Sequence, residues 1–268
     1  MNLLLGIAHW KSRVRFTTGK EYAMNHRIYR TLAFVGLIAL FALIAGTNPT
    51  QAARGYVLHD ENKLAPPAAT CNSCSDCSAK LASGLYSEVK LTANLIGVGG
   101  SCVSLLFGES NVTFDCDYHC VTGDDIAIDP DNGIAFFHGS NNTIRNCLVG
   151  DFSGGIYLAN AVNHTVENKW LISNSIGLYL SFASGTTVEN NIMQENNSGI
   201  YLNNASSNTL TNNRVCYNTY HDFIVTSSTG NNGSRNQCLD PNGWNDTGTT
   251  GCEYPCWECW LHLPLIAR

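Results

Sequence analysis

The sequence predicts an all-β fold: a single-stranded parallel solenoid of three sheets, about 22 residues per coil, closed by cysteine-rich caps. Three observations lead there. First, residues 132–219 contain four segments in one 22-residue register: NGIAFFHGSNNTIRNCLVGDFS, GGIYLANAVNHTVENKWLISNS, IGLYLSFASGTTVENNIMQENN and SGIYLNNASSNTLTNNRVCYNT. Second, apolar residues inside each segment alternate rather than recur at helical spacing. Third, all twelve cysteines lie outside the N-terminal segment, and two clusters of them, 71/74/77 and 252/256/259, flank the repeat.

A period of this length signals stacked units, none of which can bury its apolar face alone. Three short strands with turns fit into 22 residues, whereas two helices of roughly 10–12 residues each do not. Ile134, Ile156, Leu178 and Ile200 form one expected inward column. Ile144, Val166, Val188 and Leu210 form a second, and Val149, Leu171, Met193 and Val215 a third. Alternation in Thr165-Val166-Glu167-Asn168 puts Val166 and Asn168 on one face. The asparagine columns 146/168/190/212 and 174/196/218 fall at turns. There, stacked amides can bond along the axis and adopt left-handed conformations.

The stretch Asn190-Asn191-Ile192-Met193 through Gly199-Ile200-Tyr201-Leu202 has the form N-N-x-I-x-x-N-x-x-G-I-x-L. This resembles the repeats of the NosD-like, pectin-lyase-like superfamily. Upstream, Asn111-Val112-Thr113-Phe114-Asp115-Cys116-Asp117-Tyr118-His119 resembles a coil pattern of exported archaeal surface members, with Tyr118 replacing the usual glycine. The resemblance covers roughly residues 71–240 and implies a right-handed parallel β-helix. It implies little about activity, since one fold hosts many functions.

Residues 1–53 carry Arg27 and Arg30 before the apolar run TLAFVGLIALFALIAG at 31–46. This reads as a signal peptide cleaved near Ala52, or as a retained N-terminal anchor. Residues 1–23 precede Met24 and read as a mis-assigned start. Beyond it come an N-terminal cap with first coils (54–100), the β-helix repeats (101–235) and a cysteine-rich C-terminal cap (236–268). The first 53 residues hold six of the 15 basic and one of the 21 acidic residues, leaving nine against twenty, a net charge of −11. That excludes nucleic acid as a partner, which needs a basic footprint. Membrane contact is expected only through the N-terminal segment.

Export and an even cysteine count point to disulfides among Cys71, Cys74, Cys77, Cys102, Cys116, Cys120, Cys147, Cys216, Cys238, Cys252, Cys256 and Cys259. The spacings Cys71-x2-Cys74-x2-Cys77 and Cys252-x3-Cys256-x2-Cys259 also resemble metal-ligand spacing, a reading that export disfavours. Of seven N-x-[ST] sequons (Asn111, Asn141, Asn163, Asn196, Asn204, Asn232 and Asn245), Asn141 and Asn163 are the expected glycosylation sites, sharing an outward turn.

Three places bear on chemistry. Eight extra residues lie between Cys120 and Asn132, in a loop containing Gly123-Asp124-Asp125-Ile126-Ala127-Ile128. This resembles part of the polygalacturonase site, which implies Asp124 and Asp125 as an acid–base pair. The N-T-D, G-H-G and R-I-K companions are missing. Asp124, Asp125, Asp129 and Asp131 are also candidate calcium ligands, although no cofactor is required. Tyr157, Tyr179 and Tyr201 form an outward column, expected to offer a flat aromatic platform to sugar rings. His119 reads as a packing or turn residue. Three methionines give copper no Met/His cluster.

The sequence therefore predicts a secreted or cell-surface β-helix acting as a structural, adhesion or glycan-contacting module, its partner a polysaccharide or surface glycan. The alternatives are a polysaccharide-active hydrolase, lyase or epimerase using carboxylates of 115–131, and a NosD-like accessory protein.

Overall fold

The computed structural model describes residues 67–124 and 131–256. The N-terminal signal or anchor segment, Asp125, Asp129, Cys259, Trp257 and Trp260 lie outside the described residues. Strands visit three parallel sheets in rotation, giving sheets of eight, six and six strands. The first sheet runs from Ala68–Cys71 to Asn232–Ser234, the second from Leu95–Val98 to Arg214–Val215, and the third from Val103–Leu105 to His221–Thr226.

The repeat register is the pairing register. Thr143, Thr165, Thr187 and Thr209 pair in line in the first sheet, and Tyr157, Tyr179 and Tyr201 in the third. The 30-residue step from Thr113 to Thr143 also pairs in register, but the offset is 28 at Cys120–Leu148 and 22 at Asn132–Gly154. Two of the eight extra residues therefore lie before Cys120 and only six between Cys120 and Asn132, a correction to the sequence reading. Ile156, Leu178, Ile200, Val166, Val188, Leu171 and Met193 are fully buried. Each such side chain contributes about 1.5–3 kcal/mol relative to exposure.

The turns carry a second stabilising system. Asn174 Nδ2 donates to Asn196 Oδ1 (3.1 Å), and Asn196 Nδ2 to Asn218 Oδ1 (3.0 Å). The backbone N–H of Asn174 and of Asn196 donates to the same oxygens. A parallel ladder joins Asn191, Asn213 and Asn236 inside the turn between the first and second sheets. This corrects the sequence reading in one respect. Asn168 is exposed, and the 146/168/190/212 column occupies left-handed corners with φ of 55–59°. The inward ladder lies one residue later, because the left-handed corner turns the following side chain into the core.

Both ladders run with their donors toward the C-terminus, so each must end on an acceptor. A buried carboxylate closes each one. Asp222 accepts from Asn218 Nδ2 (2.9 Å), and Asp246 accepts from Asn236 Nδ2 (2.5 Å) and Trp244 Nε1 (3.0 Å). The glycine column makes room for the ladders. A Cβ on Gly155 would lie 2.9 Å from Asn174 Nδ2, and one on Gly199 2.8 Å from Asn218 Nδ2.

Both ends are covered, and disulfides hold the covers. A helix that the sequence reading did not anticipate, Cys74–Leu81, is capped by Ser73 and packs on the first strands. Disulfides Cys71–Cys77 and Cys74–Cys102 tie it down. Cys116–Cys147 joins two coils, while Cys216–Cys256 and Cys238–Cys252 fasten the C-terminal cap. There Trp244 stacks on Phe223 at 5.3 Å. Cys120 departs from expectation: it is a buried free thiol, because the other ten described cysteines are paired among themselves.

Lys169 stands where the second ladder would carry an asparagine. It is fully buried, and Nζ donates to Glu167 O (2.9 Å). Burial drives its ammonium well below the ordinary lysine range, outweighing the pull of Glu167 and Asp115. The unfolded chain therefore binds this proton more readily, so the cost is full below the lowered folded value and fades as pH rises toward the unfolded value of about 10.4. Lys169→Asn should raise the melting temperature at pH 7, with the gain shrinking toward pH 10. Asn196→Ala should cost at least about 3 kcal/mol in denaturant titration, against less than about 1 kcal/mol for exposed Asn190→Ala.

Candidate functional site

Among the expected catalytic carboxylates, Asp124 is exposed beside Gly99, where an added Cβ would lie 3.5 Å from Asp124 Oδ2. Its expected partner Asp125 lies outside the described residues. Arg145, the cation that could have completed an acid–base site with this loop, is committed elsewhere. Its Nε bonds Asp115 Oδ2 (2.9 Å), and one terminal nitrogen bonds Glu88 Oε2 (3.4 Å). Burial pushes the Asp115 carboxyl up. The Asp117 amide, Asn146 and Arg145 outweigh it and hold the group below its ordinary value. Asp117 in turn pairs with Lys90 (3.0 Å). Asp115 and Asp117 thus cross-brace neighbouring strands through ion pairs, and the lowered Asp115 is unsuited to proton transfer near neutral pH.

Of the calcium candidates, Asp131 is buried and Oδ1 accepts from Ser153 N (2.8 Å), so it closes a turn. Among the described residues, no group of three or more His, Cys, Asp or Glu side chains is placed to hold a metal ion. His119 Nδ1 lies 3.0 Å from Cys116 O within a turn. His164 is buried where the third inner turn column would carry an asparagine. Its Nδ1 lies 3.1 Å from Val162 O, and burial lowers its pKa. Asn141 and Asn163 are exposed on one left-handed corner, and Asn141 Nδ2 donates to Asn111 Oδ1 (3.1 Å).

The tyrosine column lies outward on the third sheet, but not as a platform. Tyr157 and Tyr179 stack with ring centres 5.0 Å apart, and Tyr179 and Tyr201 at 4.8 Å with planes 10° apart. Phe137 meets Tyr157 edge-on at 5.5 Å. Strand spacing forces this result, because rings one strand apart in register can cover each other's faces. All three tyrosines are half-exposed. Asn203 Nδ2 donates to the Tyr179 hydroxyl (2.9 Å). Sequence reasoning missed Phe182, 59 % exposed at the margin of the same sheet. The signal was its place in the column His138, Asn160, Phe182, Asn204, where phenylalanine stands between two asparagines.

A solenoid of three parallel sheets defines a class, the parallel β-helix proteins. The profile of the NosD family, described as periplasmic copper-binding protein, matches residues 91–254, and the chain belongs to that family. Among solved structures, an alginate lyase from Paenibacillus sp. str. FPU-7 shares 11% identity at a TM-score of 0.45. The match covers 64% of this chain and 76% of that one. Among curated proteins, none matches the chain.

The family description implies copper, and the described donors do not fit it. Met193 is sealed in the core, ten cysteines are oxidised, Cys120 and His164 are buried, and His221 Nδ1 is paired with Asp240. Five disulfides belong to an oxidising compartment, periplasmic or extracellular. Burial also pushes the Cys120 thiol up, away from the reactive thiolate. An alkylating reagent should leave Cys120 unlabelled in the native protein and label it after denaturation, as read by peptide mass mapping.

Proposed function

We propose that this protein is an exported, non-catalytic β-helix that contacts a glycan along the outer face of its third sheet. The observation that carries this reading is the stack of Tyr157, Tyr179 and Tyr201. It presents a hydroxyl-bearing aromatic edge once per coil along the solenoid axis. An extended polysaccharide repeats its hydroxyls at a spacing close to that of one coil. Each sugar can then meet one tyrosine edge, without a deep pocket. The commitment of Asp115, Asp117 and Arg145 to ion pairs supports a binding role over bond cleavage.

The test uses the full oxidised chain against a panel of neutral and acidic polysaccharides, read by affinity electrophoresis and by assay for new chain ends. Binding without new ends is expected, with Tyr179→Ala weakening affinity by about three- to tenfold. Release of new chain ends that is lost in Asp124→Asn would make the protein an enzyme instead.

A further inference from the structure

Phe182 breaks two local rules at once. Its φ is 52°, in the left-handed region where a bulky side chain is strained, and it is 59 % exposed. The equivalent corners of the neighbouring coils hold Asn160 (φ 52°) and Asn204 (φ 50°), a residue type that tolerates this conformation. The backbone bonding is shared across the column: Asn160 N donates to Ser181 O, Phe182 N to Asn203 O and Asn204 N to Thr226 O. The corner therefore needs nothing from an aromatic ring. A phenylalanine here loses on conformation and leaves its ring in water.

The surroundings say what the ring is placed for. In the third sheet Ser181 pairs in register with Ala159 and Asn203, two residues along the strands from Tyr157, Tyr179 and Tyr201. Phe182 thus stands at the corner where the strand bearing Tyr179 ends, three residues beyond the tyrosine stack. Unlike the tyrosines, whose faces cover one another, it is mostly exposed. Planar amides flank it: Asn204 Nδ2 donates to Asn203 Oδ1 (3.0 Å), and Asn203 Nδ2 to the Tyr179 hydroxyl (2.9 Å). An open aromatic ring beside a chain of amides and a phenol is the chemistry that holds a pyranose. The ring takes the apolar sugar face, and the amides take paired hydroxyls. None of Asn160, Ser181, Phe182, Asn203, Asn204 and Tyr179 is charged, which suits a neutral sugar rather than a uronate.

Among the described residues, His138 (φ 62°) holds the same corner two coils earlier, beside Ala159 rather than an asparagine, and two tyrosines occupy left-handed corners with other surroundings. Tyr217 lies under the Arg214 guanidinium, 5.4 Å from its ring centre. Tyr118 follows the strand Thr113–Asp115 of the first sheet.

We propose that Phe182, with Asn203, Asn204 and the Tyr179 hydroxyl, forms a binding subsite for an uncharged pyranose of the contacted glycan. This rests on the glycan-contact reading and assigns its sugar class and its principal stacking residue.

The experiment compares the full oxidised chain with Phe182→Asn and Phe182→Trp, reading melting temperature and affinity. The probes are soluble neutral polymers (galactomannan, xyloglucan and dextran) and two uronates (alginate and polygalacturonate). Phe182→Asn restores the residue of the neighbouring corners. It should melt a few degrees higher while binding the neutral polymer about tenfold more weakly. Phe182→Trp should keep the affinity. Unchanged affinity in Phe182→Asn overturns the subsite and leaves glycan contact standing. Binding to uronates alone overturns the neutral-sugar assignment. No binding to any polymer overturns both readings, and a lower melting temperature in Phe182→Asn would mean the ring is there for packing.

Discussion

The fold depends on how buried amides are satisfied inside the turns. A parallel solenoid pairs its strands with those of adjacent coils, but the chain must bend at each sheet boundary and leaves polar backbone groups near the core there. An unsatisfied buried group costs about 1–3 kcal/mol. The interior asparagines answer that demand. Each accepts a backbone N–H and a side-chain N–H from the preceding coil and donates onward, as Asn196 does between Asn174 and Asn218. The glycine column, the left-handed corners and the terminal carboxylates follow from this arrangement. Gly155, Gly177 and Gly199 vacate the space the amides fill, and Asp222 and Asp246 close their ladders with groups that only accept.

The ladders also explain which departures matter. Lys169 and His164 stand in asparagine positions and are shifted toward their neutral forms by burial. They interrupt the amide chains near the middle of the solenoid, where neighbouring coils and the Cys116–Cys147 disulfide hold the structure. The caps carry most of the remaining covalent reinforcement. This is the expected place for it, because terminal coils lack a stacking partner on one side.

Much of the fold was legible in the sequence, because a solenoid translates sequence period directly into space. The columns at 134, 144 and 149 became core, whereas two of the eight extra residues were placed on the wrong side of Cys120. The asparagine doublets were read one residue out of place, since strict alternation cannot show that Asn168 turns through a left-handed corner. The helix Cys74–Leu81 escaped notice because its cysteines were read as a cross-linked cap, with no helical period assigned to them. The site was less legible. Alternation put Tyr179 outside the coil correctly, but only in-register pairing shows that the tyrosine faces are covered. Phe182 becomes informative only once its left-handed backbone and exposure are known together.

On the third sheet the outward aromatic edge keeps the 4.8–5.0 Å spacing of the stacked rings. The ladders inside the turns hold that spacing fixed, so the outer surface is only as regular as the interior bonding. Native-state hydrogen exchange tests this claim most directly. The backbone amides of Asn174 and Asn196, which donate to ladder side chains, should exchange among the slowest in the protein, near the limit set by global unfolding. Exchange there as fast as at the exposed corner residues Asn190 and Asn212 would contradict the account.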